Sequence, residues 1–146
     1  MTVDRELVTR KLLLIARDLE AIAPFAAKPI SAFLESRIDQ AVVERLLERM
    51  IGRMIDVNYH LITENGQPPP SDYHTSFLRL AELGVVDAAF AQRIARCAGL
   101  RNRLVHEYEE IDPQRLFESL QAARADIVVY MRHVEAYVDS VLGPAT

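Results

Sequence analysis

Residues 112–141 read DPQRLFESLQAARADIVVYMRHVEAYVDSV, and this run decides the fold. Asp112 followed by Pro113 is a helix start: an acidic cap, then proline at the first helical position, where its missing N–H costs nothing. Leu116, Leu120, Ala123, Ile127, Tyr130, Val134, Tyr137 and Val141 then recur in alternating steps of four and three, which lines them along one face. Such a seam suits packing in a bundle or against a second chain. From Gly143 the pattern stops and a frayed tail is expected.

Upstream, the same reasoning predicts four more helices and no strand. The first runs from about Asp4 to Ala23 on Val8, Leu12, Ile15, Leu19 and Ile22, with Pro24 expected to stop it. The second runs from Ser31 to Leu61 as one piece, with Leu34, Ile38, Val42, Leu46, Met50, Met54, Val57 and Leu61 inward. Asn65-Gly66 and Pro68-Pro69-Pro70 break it. Ser71 or Asp72 caps a third through Leu83, closed by Gly84 in the left-handed region. Asp87 caps a fourth that carries Phe90, Ile94, Cys97 and Leu104. The expectation is an all-α, five-helix, bundle-like domain spanning 1–146, without repeats or low-complexity tracts.

Composition bounds the function. Half of the 146 residues are hydrophobic and a quarter charged, as in ordinary globular chains. Cys97 stands alone, so no internal disulfide can form, and no CxxC pair offers a structural zinc site. Acids at Asp4 and Glu6 argue against a signal peptide, and no stretch approaches the ~20 apolar residues of a membrane span. A reducing cytoplasm, with no membrane partner, is the expected setting. The net charge of −4 argues against indiscriminate nucleic-acid binding through a basic surface. Yet fifteen of the seventeen cationic residues are arginines, the residue type suited to two-pronged contacts with phosphate.

Charge also sorts along the chain. Between Ala88 and His106 stand Arg93, Arg96, Arg101 and Arg103 and no acid; Glu107, Glu109, Glu110 and Asp112 follow at once. On a helical wheel Arg101 falls amid Phe90, Ile94, Cys97, Leu104, Val105 and Tyr108. A guanidinium in an apolar face needs a partner or a cleft. Two readings stay open: a buried ion pair with Asp56 or Asp39, or an opening onto a cleft. His106 lies about 140° from Arg101 on a straight helix, so the two meet only if the last turn deforms or two chains gather them. His60, His74 and His133 lack metal-ligand spacing and read as structural or surface groups; Cys97 reads as core.

The run Arg101-Asn102-x-x-Val105-His106-x-Tyr108 resembles the signature of the HEPN superfamily, and more narrowly of its HepT-like toxins. Further similarity lies in Ile55-Asp56-Val57-Asn58-x-His60, in Pro70-Ser71-x-Tyr73, in Leu80 to Val85 and in Asp112. The resemblance implies a homodimeric, cofactor-free and metal-independent endoribonuclease whose Arg and His line a cleft between two chains. Arg101 and His106 are then the catalytic residues, with Asn102 orienting the phosphate or Arg101; Asp56 and Asn58 either support Arg101 or simply pack, and Arg93, Arg96 and Arg103 either bind RNA backbone or stand as solvated surface charges. The RNA is tRNA or mRNA. The chemistry is intelligible: histidine changes protonation near neutral pH and can move the 2′-hydroxyl proton, while arginine stabilises charge on phosphorus. The resemblance also implies an MntA-like nucleotidyltransferase antitoxin that silences the toxin by transferring AMP to Tyr108. The alternatives are a non-catalytic helical module that binds a nucleotide or partner in the same cleft, or a structural dimer.

Overall fold

A computed structural model describes residues 2–106 and 111–145. It contains seven helical segments among the described residues: α1 (Arg5–Ala26), α2 (Ile30–Glu35), α3 (Arg37–Glu64), α4 (Tyr73–Glu82), α5 (Ala88–Ile94), α6 (Arg96–Val105) and α7 (Pro113–Leu142). The fold is all-helical as expected, but five helices become seven for identifiable local reasons.

Pro24 does not end α1, which continues through it to Ala26. A proline in the last turn removes one hydrogen bond but leaves the following residues free to complete the turn. The expected helix from Ser31 to Leu61 is two. Ser36 is extended (φ −113°, ψ 100°), and its Oγ accepts from the Asp39 N–H at 3.1 Å, capping α3. A serine offering this alternative bond competes with helix continuation. The break turns Phe33 inward, where it is fully buried against the Phe117 ring at 5.2 Å. It leaves Leu34, Ile38 and Val42, the first three residues of the expected seam, exposed; from Leu46 onward the seam is buried. Likewise α5 and α6, expected as one helix, are separated by the single residue Ala95. Asp72 caps α4 and Asp87 caps α5 as expected; Asp112 stands before Pro113 at the start of α7, but its side chain makes no capping bond.

The long α3 is the centre of the core and packs against α1, α4, α6 and α7. Met50, Ile51, Met54 and Leu61 of α3 are fully buried, as are Leu120, Ile127, Tyr130 and Val134 of α7. One polar chain crosses this core. The Tyr130 hydroxyl donates to Asn58 Oδ1 at 2.6 Å, Asn58 Nδ2 donates to Ser76 Oγ at 3.1 Å, and Ser76 Oγ donates to the Tyr73 carbonyl at 2.7 Å. Each buried polar group thus has a partner, which makes the chain a fixed tie between α7, α3 and the first turn of α4. A second tie joins α1 to α3: buried Asp18 accepts from Arg53 at 2.8 Å and faces Arg49 at 3.3 Å. No described helix is long and apolar enough to cross a membrane.

A candidate active site at the end of the sixth helix

Arg101 lies on α6 where that helix packs on α3 and α4. Its guanidinium carbon stands over the Tyr73 ring, 5.1 Å from the centroid. Behind it is Gly52 of α3, where an added Cβ would meet Arg101 Nε at 3.7 Å and no other atom within 4 Å outside its own helix. Nε is buried without a hydrogen-bond partner, the one such side-chain nitrogen or oxygen among the described residues. The guanidinium borders a cavity of about 330 Å³ lined also by Ile55, Asp56, Tyr59 and Tyr73.

The ion pair considered from sequence does not form. Asp56 borders the same cavity, but its Oδ2 accepts from Lys11 of α1 at 2.8 Å. Asp39 is taken by Lys28 at 2.7 Å. Arg101 makes no ion pair among the described residues, and none of them compensates its charge at the cavity it borders. Burial and the neighbouring Tyr73 and Asp72 push the Tyr59 hydroxyl upward, so this wall of the cavity stays uncharged at neutral pH.

His106 ends α6 as its C-cap, with extended backbone (φ −86°, ψ 106°), and is exposed. The helical wheel therefore does not carry past Val105, which is itself 39% exposed. His106 lines neither the Arg101 cavity nor the larger cleft on the other side of α6. That cleft, about 840 Å³, runs between α5, α6 and α7 and is bordered by Arg93, Arg96, Arg103 and Arg115, with Asp112, Glu118 and Asp126 among them. Arg96 and Arg103 thus sit together, but apart from Arg101. Asn102 is exposed. Tyr108, the expected modification site, lies outside the described residues.

His60, His133 and the cysteine hold structural places, while His74 is exposed and borders the larger cleft. His60 Nε2 accepts from the Asp4 N–H at 2.9 Å, and His133 packs on the Phe90 ring at 5.5 Å. Cys97 is buried, and that burial pushes its thiol up to about 12, so it is no nucleophile at neutral pH. Sequence reasoning missed Tyr73 and Gly52 as neighbours of Arg101. The resemblance in Pro70-Ser71-x-Tyr73 marked the tyrosine, but nothing in a linear pattern brings α3, α4 and α6 to one point.

Residues 15–134 match the family Ribonuclease HepT-like. The chain is 30% identical over 132 residues to the tRNA nuclease HepT of Aphanizomenon flos-aquae, covering 90% of each chain. Among solved structures it shares its fold with the cytosolic protein YutE of Bacillus subtilis (TM-score 0.84, 19% identity, 99% of this chain and 96% of that one). It also shares it with the tri-AMPylated HEPN toxin of Shewanella oneidensis, solved in complex with its MNT antitoxin (TM-score 0.82, 22% identity, 91% and 99%).

Proposed function

The chain belongs to the HepT-like ribonuclease family, and from that premise we propose that it is the toxin of a toxin–antitoxin pair, an endoribonuclease that cuts RNA by attack of a 2′-hydroxyl on the adjacent phosphate. The observation that carries this reading is Arg101, a guanidinium with no carboxylate partner among the described residues, stacked on a ring and bordering a cavity. An arginine kept for structure pairs with an acid, as Arg53 does with Asp18. An arginine kept for a phosphate must hold its in-plane N–H groups open.

In this mechanism His106 takes the 2′-hydroxyl proton or protonates the departing 5′-oxygen. Arg101 donates to the phosphoryl oxygens as negative charge grows on them. Asn102, beside Arg101 in sequence, orients the phosphate, and Asp56 borders the cavity while its pairing to Lys11 leaves Arg101 free. Arg96 and Arg103 hold flanking RNA backbone in the cleft on the far side of α6. Because His106 stands exposed and outside the Arg101 cavity, the catalytic pair is completed across a homodimer, the partner's copy facing Arg101. No metal ion takes part. The tRNA nuclease relative makes tRNA the first substrate to try.

The complex of the Shewanella toxin with its antitoxin supports a matching control. A nucleotidyltransferase partner of MntA type would transfer AMP from ATP to the Tyr108 hydroxyl, releasing pyrophosphate. The added bulk and negative charge, two residues from His106, would oppose an incoming RNA phosphate.

Purified protein incubated with tRNA and with mRNA tests the reading. Cleavage should survive EDTA and leave 2′,3′-cyclic phosphate ends. Arg101→Ala and His106→Ala should each lower the rate by ~10²-fold or more at unchanged helicity. Inhibition by EDTA would overturn the mechanism, and wild-type cutting by His106→Ala would overturn the roles. AMP transfer should add about 329 Da per unit, the mass of AMP less water, and silence the enzyme; Tyr108→Phe should escape both.

A further inference from the structure

We propose that Tyr73 is a positioning residue for Arg101, holding the guanidinium by its ring face with Nε buried in a notch that Gly52 leaves open, so that the cation is fixed while its terminal N–H groups stay free for the RNA phosphate. The inference rests on the reading above for what Arg101 does, and on geometry alone for how Arg101 is held.

Three independent features converge on it. The guanidinium carbon is 5.1 Å from the Tyr73 centroid, within reach of the ring's negative face. A Cβ added at Gly52 would meet Arg101 Nε at 3.7 Å and no other atom within 4 Å outside its own helix. That Nε is the lone buried polar side-chain atom without a partner among the described residues. A carboxylate could fix the guanidinium too, but it would occupy the in-plane donors and cancel the charge. A ring attracts the cation through its face and leaves the donors in the plane unspent. Tyr73 is in turn held from behind. Its carbonyl accepts from Ser76, which is bound to Asn58, which is bound to Tyr130 of α7, and its ring meets Tyr59 edge-on at 6.3 Å. The core chain thus ends at the residue under Arg101.

Two measurements on the full-length protein test this. In the first, the Arg101 Nε–H resonance, assigned by its absence from Arg101→Lys, should be displaced upfield by the Tyr73 ring. Tyr73→Leu should abolish the displacement, and Tyr73→Phe should keep it. In the second, Tyr73→Leu should lower kcat on RNA by about five- to thirty-fold with KM changed less than about twofold, the rate equivalent of a cation–ring contact. Tyr73→Phe should restore the rate, because the ring and not the hydroxyl acts. Gly52→Leu, which fills the notch from α3, should reproduce the kcat loss and the shift change if Tyr73→Leu proves too unstable to study. The inference is overturned if the Nε–H signal is unmoved by Tyr73→Leu, or if kcat stays at the wild-type value in Tyr73→Leu or, where that variant does not fold, in Gly52→Leu. It is overturned equally if Tyr73→Phe loses as much as Tyr73→Leu. Should the wild-type protein cut no RNA while the ring shift behaves as expected, the ribonuclease reading fails and the positioning stands.

Discussion

Replacing Arg101 by methionine should abolish cleavage and yet leave the protein as stable as before, or more so. The buried Nε has given up water without gaining a partner, which costs about 1–3 kcal/mol. Against this, stacking on the half-exposed Tyr73 returns about 0.5–1 kcal/mol. No ion pair among the described residues enters the balance. Methionine keeps an unbranched stem of similar reach and fills the space against Gly52 without a polar atom. The net effect is a gain of about 0–2 kcal/mol, which for a chain of this size raises Tm by up to about 4–8 °C. Thermal unfolding of Arg101→Met and wild type at one fixed protein concentration measures it, since association would otherwise shift both curves. RNA cleavage in the same samples should fall by ~10²-fold or more. A fall in Tm of more than about 4 °C would mean instead that the guanidinium is a structural partner of some group in the fold.

Asp18→Ala should behave oppositely, lowering stability by about 2–4 kcal/mol in chemical denaturation, because it strands Arg53 and Arg49 beside an apolar interface; activity per folded molecule should not change. Cys97, with its thiol pushed up to about 12 by burial, stays protonated at pH 8, so a disulfide reagent should label it slowly in the native protein and at once in denaturant; rapid native labelling would contradict its placement. Light scattering at micromolar concentration should report twice the chain mass, and a clean monomer would remove the two-chain site.

Much of this architecture was legible in the sequence because α7 obeys one rule over most of its length: its four-three seam is buried from Leu116 to Val134, and only beyond that are Tyr137 and Val141 half-buried while Val138 is buried instead. The errors came where a side chain or a single residue overrides periodicity. Ser36 caps α3 from inside a stretch whose apolar spacing runs on unbroken, so Leu34, Ile38 and Val42 keep the pattern but lose the burial. Asp18 shows the reverse. It takes the buried place between Ile15 and Ile22 that the expected seam gave to Leu19, which is half-buried, and a carboxylate there announces a buried pair. The arginines four residues apart on α3, Arg49 and Arg53, are the matching half of the signal. At the site, the anomaly of Arg101 in an apolar face was visible in the sequence, whereas its resolution was not. Tyr73 and Gly52 are 28 and 49 residues away, on two other helices.

The two ways this chain treats a sheltered arginine explain each other. Arg53 is neutralised by Asp18 and binds α1 to α3; its charge is spent within the fold. Arg101 has a carboxylate bordering its own cavity and does not take it, because Asp56 is held by Lys11. Local energetics alone would favour closing that gap, since a paired guanidinium is more stable than one with an orphaned nitrogen. A group poised for a phosphate carries the opposite requirement: its donors must be unfilled until substrate arrives, and its orientation must be fixed by something that does not compete with the substrate. The ring of Tyr73 would meet both conditions at once, and the polar chain through Ser76, Asn58 and Tyr130 ties the backbone that carries that ring to the core. The proposed chemistry therefore falls at the one buried side-chain group that the described interior leaves without a partner, and the helical scaffold around it keeps that place open.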